Sequence, residues 1–221
     1  MKYFSKLGIG IVFLIALTLT GASYQDKPKL TPESVIAELK TGNAHHVRHQ
    51  YKHPHDTLSR QRELVSGQHP HAEVLSCADS RVPPEIIFDQ GLGDLFIVRV
   101  AGNVASDTEI GSLEYGPEHL HIPLVVVLGH ESCGAVTAAV QGGQASGHLA
   151  SIISLIKPAV GKSHGMPGDP VANAVRNNVQ LVVQQLRSST PVLSELVAHG
   201  KLQIIGGVYS LQTGEVTWLS E

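Results

Sequence analysis

Residues 122–134 read IPLVVVLGHESCG, an aliphatic run that ends in a glycine, a histidine and a cysteine. Because the run is apolar at successive positions rather than alternate ones, it is typical of a parallel strand that is buried on both faces of a sheet. His130 and Cys133 follow directly after it. We therefore expect a central strand whose carboxyl end carries residue types that ligate metals.

Strand and helix patterns alternate on both sides of this run. Further strands are predicted at residues 73–77, 94–100, 202–209 and 216–219, and helices at residues 31–42, 58–66, 107–119, 133–140, 149–160, 171–186 and 191–199. This alternation predicts an α/β domain with a mostly parallel central β-sheet and flanking helices. The last two strands form a C-terminal hairpin at one edge, and the first two helices form an N-terminal helical arm.

The composition narrows the class of protein. The chain has 221 residues, of which 42% are hydrophobic and 16% charged, and its formal net charge is −3. These values are typical of a globular protein of one domain, which we expect over residues 24–221. The negative charge argues against a general nucleic-acid binder. With only two cysteines, Cys77 and Cys133, a disulfide-rich scaffold is excluded.

The first 23 residues are typical of a secretory signal peptide. Lys2 and Lys6 precede an uncharged apolar run over residues 7–19, and small residues follow it. The alternative is an uncleaved membrane anchor, for which a run of this length is short. The sequence therefore predicts a protein that is periplasmic or secreted and that leaves the membrane after signal cleavage.

A second polar motif, CADSR at residues 77–81, directly follows a predicted strand. Ligands of open α/β sheets bind beyond the carboxyl ends of the strands. If the strands before Cys77 and His130 are neighbours, Cys77, His130 and Cys133 converge. Two thiolates and one imidazole form a zinc ligand set, and three protein ligands leave a fourth position open, as in catalytic sites. We therefore expect one Zn²⁺ per chain.

Other interpretations of these residues stay open at this point. In an oxidising compartment Cys77 and Cys133 can form a disulfide, which would make the protein a non-catalytic periplasmic metal or redox module. Cysteine and histidine side chains at strand ends can also fill a core. Asp79 has three candidate roles: it can pair with Arg81, accept a proton from water at the metal, or become the fourth zinc ligand in a closed state of the site.

Taken together, the two motifs resemble those of the β-class carbonic anhydrases. The likeness covers about residues 42–209 and includes GQHP at residues 67–70, VPPEIIF at 82–88 and GDLFIVRVAGN at 93–103. It implies a zinc enzyme that hydrates CO₂ reversibly to bicarbonate and a proton. A CS₂ or COS hydrolase on the same scaffold is the alternative activity.

The resemblance also implies roles for individual residues. Asp79 and Arg81 match the catalytic dyad. The positions that match the small CO₂ pocket, to which a second subunit contributes in the family, are Gln68, Phe96, Ala101 and Tyr115. Gly134, after the last zinc ligand, is expected to let the backbone approach the site closely.

Two further expectations concern assembly and regulation. The resemblance implies a homodimer or homotetramer, and the helix around Val35 has an apolar face without an obvious partner in its own chain. Some bacterial members of the family carry a non-catalytic bicarbonate site made of a tryptophan, an arginine and a tyrosine. Arg99 and Tyr209 match two of these residues, but Val74 stands at the tryptophan position, which argues against that form of inhibition.

Seven histidines lie within residues 45–71, and they are His45, His46, His49, His53, His55, His69 and His71. A proton relay and a second metal site are the functional interpretations, since histidine titrates near neutrality. We favour the simpler interpretation of a solvated helical arm. Asn177 and Asn178 are interpreted as structural.

Overall fold

The structure is a computed structural model that describes residues 30–143 and 145–220. The signal peptide predicted at residues 1–23 lies outside these residues. Within the described part of the chain, no helix combines the length and the apolar character that a membrane span requires.

Five strands of residues 30–143 and 145–220 form the central sheet: β1 (Ala72–Ser76), β2 (Leu95–Arg99), β3 (Leu124–His130), β4 (Gln203–Tyr209) and β5 (Val216–Trp218). Their order across the sheet is β2-β1-β3-β4-β5. All neighbouring strands are parallel except β4 and β5, which are antiparallel. The predicted α/β fold, with a mostly parallel sheet and a C-terminal edge hairpin, is therefore confirmed.

In the part of the chain that the structure describes, eight α-helices surround the sheet. They are α1 (Pro32–Val47), α2 (Leu58–Glu63), α3 (Pro84–Ile87), α4 (Asp107–His119), α5 (Gly134–Gln141), α6 (Leu149–Ser163), α7 (Pro170–Arg187) and α8 (Val192–Ala198) within the described residues. Short 3₁₀ turns follow α2 at Leu64–Ser66 and β2 at Ala101–Asn103. The helices begin at recognisable caps: Thr31 Oγ1 accepts a hydrogen bond from Ser34 N before α1, and the Asp169 carboxylate caps α7.

The core lies on both faces of the sheet. On one face, buried side chains of α1, α3, α5 and α6 pack against the even-numbered residues of β3, such as Val126. On the other face, α4, α7 and α8 cover the odd-numbered residues, such as Val127. All seven residues of β3 are buried, so the prediction that this strand is central is confirmed. The strand ends on His130 itself, so this residue belongs to the strand rather than following it.

Helix α1 corrects two sequence-based expectations. Its apolar face does have a partner in its own chain, because Val35 and Leu39 are wholly buried in the first core. Gly42 does not end the helix; it lies against the backbone of the turn after α3. A Cβ at Gly42 would come within 1.7 Å of the carbonyl oxygen of Phe88, so glycine is needed for this close approach rather than for a helix stop.

Candidate metal centre

The predicted convergence of the three ligand-type residues occurs at the carboxyl edge of the sheet. β1 and β3 are parallel neighbours, with Ser76 opposite Leu128, so Cys77 and His130 leave the sheet side by side. Cys133 lies at the start of α5 and turns back toward them. One ligand atom from each residue lies within 4.8 Å of the others, and the two sulfur atoms are 4.0 Å apart.

The donor set fits a metal ion. All three side chains are buried. His130 Nδ1 donates a hydrogen bond to the Glu131 carbonyl at 2.8 Å, which leaves Nε2 with its lone pair free. Nε2 is buried and has no hydrogen-bond partner among the described residues, the state expected of a nitrogen that is kept for a metal. Two sulfurs and this nitrogen match the ligand chemistry of zinc.

The two thiols do not form a disulfide. Both cysteines are free, and 4.0 Å between the sulfurs is about twice the length of an S–S bond. The hydrogen bond from Cys133 is the main cause that lowers the pKa of Cys77, against the opposing effect of burial, and His130 and two backbone N–H groups add to it. The same hydrogen bond between the two sulfur atoms raises the pKa of Cys133, and burial raises it as well. The site therefore already favours thiolate character at Cys77.

Asp79 and Arg81 form a closely held pair beside the ligands. Arg81 Nε donates to Asp79 Oδ1 at 2.9 Å and Nη2 donates to Oδ2 at 2.7 Å, while the Arg81 backbone N–H also donates to Oδ1. These bonds from Arg81 are the largest cause that holds the pKa of Asp79 well below its usual range. Asp79 Oδ2 lies 3.9 Å from His130 Nε2. Of the three candidate roles of Asp79, the structure thus shows the pairing with Arg81.

Two residues orient the ligand loops in a way that sequence reasoning did not predict. Arg99 donates to the carbonyl oxygens of Cys77 and Asp79 at 2.9 and 2.6 Å. Gly102 N donates to Cys77 Sγ at 3.3 Å. Only the position of Arg99 at the end of a strand gave a signal in the sequence, because the other contact is made by a backbone group.

The loop between His130 and Cys133 is fixed by the C-terminal hairpin. Glu131 Oε2 accepts hydrogen bonds from Ser210 Oγ at 2.8 Å and from the Leu211 N–H at 3.1 Å. Its backbone N–H donates to the Tyr209 carbonyl. The hairpin therefore holds the second pair of ligands in place, although Glu131 has no recognisable sequence signal.

The four residues that match the CO₂ pocket, together with Gly134, divide into two groups. Ala101 and Gly134 lie next to the ligands, in the turn after β2 and at the start of α5. Phe96 and Tyr115 contact each other, with ring centroids 5.9 Å apart, but Phe96 is opposite Glu73 in the sheet. That position is roughly 13 Å along β1 from Cys77. Gln68 is exposed and precedes the amino end of β1.

The structure bears on two further residue-level expectations, those for Gly134 and for the non-catalytic bicarbonate site. A Cβ at Gly134 would meet no described atom within 4 Å, so nothing described in this chain requires glycine there. Arg99 is bonded to backbone carbonyls and the Tyr209 hydroxyl lies 3.0 Å from His46 Nε2. Both groups that match the non-catalytic bicarbonate site thus have other partners, in agreement with the sequence argument from Val74.

The histidine-rich segment is more than a solvated arm. His45 Nδ1 lies 2.9 Å from the buried carboxylate of Asp89, and His55 Nδ1 lies 2.7 Å from that of Asp94. These contacts attach the arm to the loop before β2. Among the described residues, the only group within reach of a common metal ion is the one formed by Cys77, His130 and Cys133.

Comparison with known proteins gives one consistent family. The family model described as carbonic anhydrase matches residues 72–216. Carbonic anhydrase 2 of Mycobacterium tuberculosis is 39% identical over 193 residues, covering 85% of this chain and 92% of the relative. Carbonic anhydrase of Mycolicibacterium smegmatis is 38% identical over 195 residues, covering 86% and 94%. Among solved structures, a Coccomyxa β-carbonic anhydrase in complex with acetazolamide superposes with a TM-score of 0.66 at 27% identity, covering 88% of each chain.

Proposed function

The chain belongs to the β-carbonic anhydrase family, and from that premise we propose that it hydrates CO₂ reversibly at a zinc ion held by Cys77, His130 and Cys133. The observation that carries the assignment of the metal is the buried cluster itself. Two free thiols and an imidazole nitrogen that has no other partner in the described part of the chain converge at one edge of the sheet. When bound, zinc lowers the pKa of a coordinated water from 15.7 to about 7 and so supplies hydroxide at neutral pH.

The residues around the ligands have distinct tasks in this proposal. Asp79 accepts a hydrogen bond from the attacking oxygen and directs that oxygen toward the carbon of CO₂. Arg81 holds both carboxylate oxygens of Asp79, so the carboxylate stays off the ligand cluster and does not occupy the fourth position. Since CO₂ is apolar, the pocket wall needs no charged groups, and Ala101 supplies part of it.

We propose that a second copy of the chain completes the pocket. Phe96, Tyr115 and Gln68 lie too far along the sheet to line the site of their own chain. β2 is an edge strand with half-buried side chains, and Tyr115 is 45% exposed. These features are expected of a surface that pairs with another subunit. A monomeric mass in light scattering for the active protein would contradict this part of the proposal.

We also propose that residues 1–23 direct export and are removed. The support is the charged start, apolar run and small residues of that segment. The test is the N-terminal sequence of the protein recovered from the periplasmic or culture fraction. An intact Met1 in the exported fraction would contradict cleavage.

The decisive experiment for the activity is stopped-flow CO₂ hydration by the chain from residue 24 onward, combined with metal analysis. We expect about one zinc per chain and turnover that is lost with the metal, as for a metal-dependent site with three protein ligands. Cys77→Ser should lower zinc occupancy and activity together. Turnover of CS₂ or COS in the absence of CO₂ hydration would favour the alternative hydrolase.

A further inference from the structure

Cys77 Sγ receives two backbone hydrogen bonds that come from different parts of the chain. The Asp79 N–H lies 3.4 Å away in the same loop, and the Gly102 N–H lies 3.3 Å away in the turn after β2. N–H groups that point at a ligating sulfur reduce the negative charge that it donates to the metal. The direction of the Gly102 N–H is therefore part of the metal centre.

The turn that carries this N–H has an unusual conformation. Gly102 has φ 73° and ψ 15°, in the left-handed region that favours glycine. A Cβ at this position would also lie 2.8 Å from Ile156 Cδ1. Glycine loses more conformational freedom on folding than any other residue, so a contact from outside the turn adds to the Asn103 N–H to Val100 carbonyl bond that closes the turn.

The outside contact comes from the middle of α7. Asn178 Nδ2 donates to the Gly102 carbonyl oxygen at 2.9 Å, and the bond is buried. Asn178 lies on the helix face whose other members, including Val175, Val179 and Val182, are buried apolar residues. An amide in such a place destabilises the fold unless its polar atoms are bonded. Its donor is used on Gly102, one of the two residues whose backbone N–H contacts the sulfur of Cys77.

We propose that Asn178 is a positioning residue of the metal centre, which holds the Ala101–Asn103 turn so that the Gly102 N–H points at Cys77 Sγ. This inference rests on the proposed zinc site. It assigns a task to a side chain that lies 76 positions from Gly102 in the sequence. Without the bond, the Gly102 carbonyl is left buried and unbonded, and the turn can rotate away from the sulfur.

Helix α7 itself offers a matched control. Asn173 is also buried, and its Nδ2 donates to the Pro167 carbonyl at 3.0 Å. Pro167 is in the loop before α7 and is not part of the ligand loops. Asn173→Leu and Asn178→Leu thus remove the same kind of bond from the same helix, but only the second bond leads to the metal centre.

The test compares zinc release and the cobalt spectrum in the two variants. Zinc release is followed with a chromogenic chelator, and the Co²⁺-substituted protein is followed by its thiolate-to-cobalt absorption. In Asn178→Leu we expect zinc to be released about tenfold faster than in the wild type, because the turn no longer holds Cys77 in its ligating position. This is the lower end of the loss expected when a residue that orients a metal ligand is removed. The cobalt band should move to longer wavelength, because a sulfur that has lost an N–H bond is a stronger donor. Asn173→Leu should stay within about twofold of the wild type and keep its band.

Each outcome of this comparison has a clear meaning. If both variants behave alike, Asn178 has a structural role only and the inference is wrong. If Asn178→Leu does not fold, Asn178→Ser, whose hydroxyl is too short to reach Gly102, is measured by the same two readouts and decides the question. If the wild-type protein binds neither zinc nor cobalt, the proposed metal site fails first, and the inference fails with it.

Discussion

At the scale of single residues, the paired hydrogen bonds between Arg81 and Asp79 decide what the carboxylate does. A carboxylate this close to the ligand cluster has two options, which are to accept a proton from the reacting water or to become a ligand. Arg81 engages both oxygens of Asp79 in a planar fork. The side chain of Arg81 is half exposed, so its task is to orient Asp79 rather than to stabilise the fold.

Removing Arg81 should therefore separate metal binding from activity. Arg81→Ala is expected to retain zinc, because arginine is not a ligand, but to lose CO₂ hydration by at least about tenfold, since small displacements of a catalytic group are costly. Asp79→Asn should also retain zinc and lose activity. Stopped-flow assays with metal analysis check both variants. Near-normal hydration by fully zinc-loaded Arg81→Ala between about pH 6 and 9 would rule out this role.

At the scale of secondary structure, β1 contains a charge-bearing residue where an apolar one is expected. Glu73 is wholly buried, and neither of its carboxylate oxygens has a hydrogen-bond partner among the described residues. Its neighbours include four residues without a titratable side chain, which are Phe96 of β2, Val125 of β3, Gly116 of α4 and Ile122. Burial raises the pKa of Glu73 to about 9, so the side chain is a neutral acid at pH 7.

This buried acid predicts a pH dependence of stability. In the unfolded chain glutamate titrates near 4.3, so between there and about pH 9 the folded state holds one more proton. The contribution of protonated Glu73 to the free energy of unfolding is fully present below about pH 4. It is lost as the pH rises toward the folded-state pKa, at about 1.4 kcal/mol per pH unit. Glu73→Gln should remove this slope and unfold at a higher temperature than the wild type at pH 8. The exposed Glu85→Gln serves as the control, and equal slopes in wild type and Glu73→Gln would contradict the assignment.

A second prediction concerns the contact of α1 with the turn after α3. Alanine is the better helix former by about 1 kcal/mol, but a Cβ at Gly42 would overlap the Phe88 carbonyl. Gly42→Ala should therefore destabilise the protein by about 1–3 kcal/mol, as overpacked cores do. Gly111→Ala in α4 is the matched control, because a Cβ there meets no described atom within 4 Å and alanine should stabilise the helix. Denaturant unfolding of both variants tests this, and a stabilised Gly42→Ala would show that α1 is free to move.

The same elements show how far the sequence can be read. The aliphatic run before His130 was enough to predict a buried central strand, and the positions of Cys77 and His130 at strand ends predicted their convergence. Gly42 was misinterpreted as the end of α1 because glycine is found both at helix ends and where a helix lies close against another backbone. Asn178 could not be recognised, since its importance comes from a carbonyl 76 residues away that only the folded chain brings to it.

At the scale of the whole molecule, the ligand cluster and three of the residues that match the pocket lie in different parts of one chain. Cys77, His130 and Cys133 lie at the carboxyl edge of the sheet, whereas Phe96 and Tyr115 lie toward the amino end of β1 and beside the exposed edge strand. A symmetric pair of chains solves this geometry, since each copy presents the same edge to the other. If the pocket is shared between two chains, two defective variants should form an active site when they pair, which a site built from one chain does not allow.

Two inactive variants should restore each other when they are produced in the same cell. Arg81→Ala damages the dyad of its own chain, and Phe96→Ala damages the pocket wall that its chain lends to the partner. In a mixed pair, one site receives both defects, while the other has an intact dyad from one chain and an intact Phe96 from its partner. Random pairing makes half of the pairs mixed, so about a quarter of all sites should be active. The measurement is CO₂ hydration per zinc in the co-expressed, differently tagged mixture, with each variant expressed alone as the control. If the activity of the mixture equals the mean of the two variants measured alone, each chain carries a complete site by itself and the proposal is wrong. Activity above that mean requires a pocket that is built from both chains.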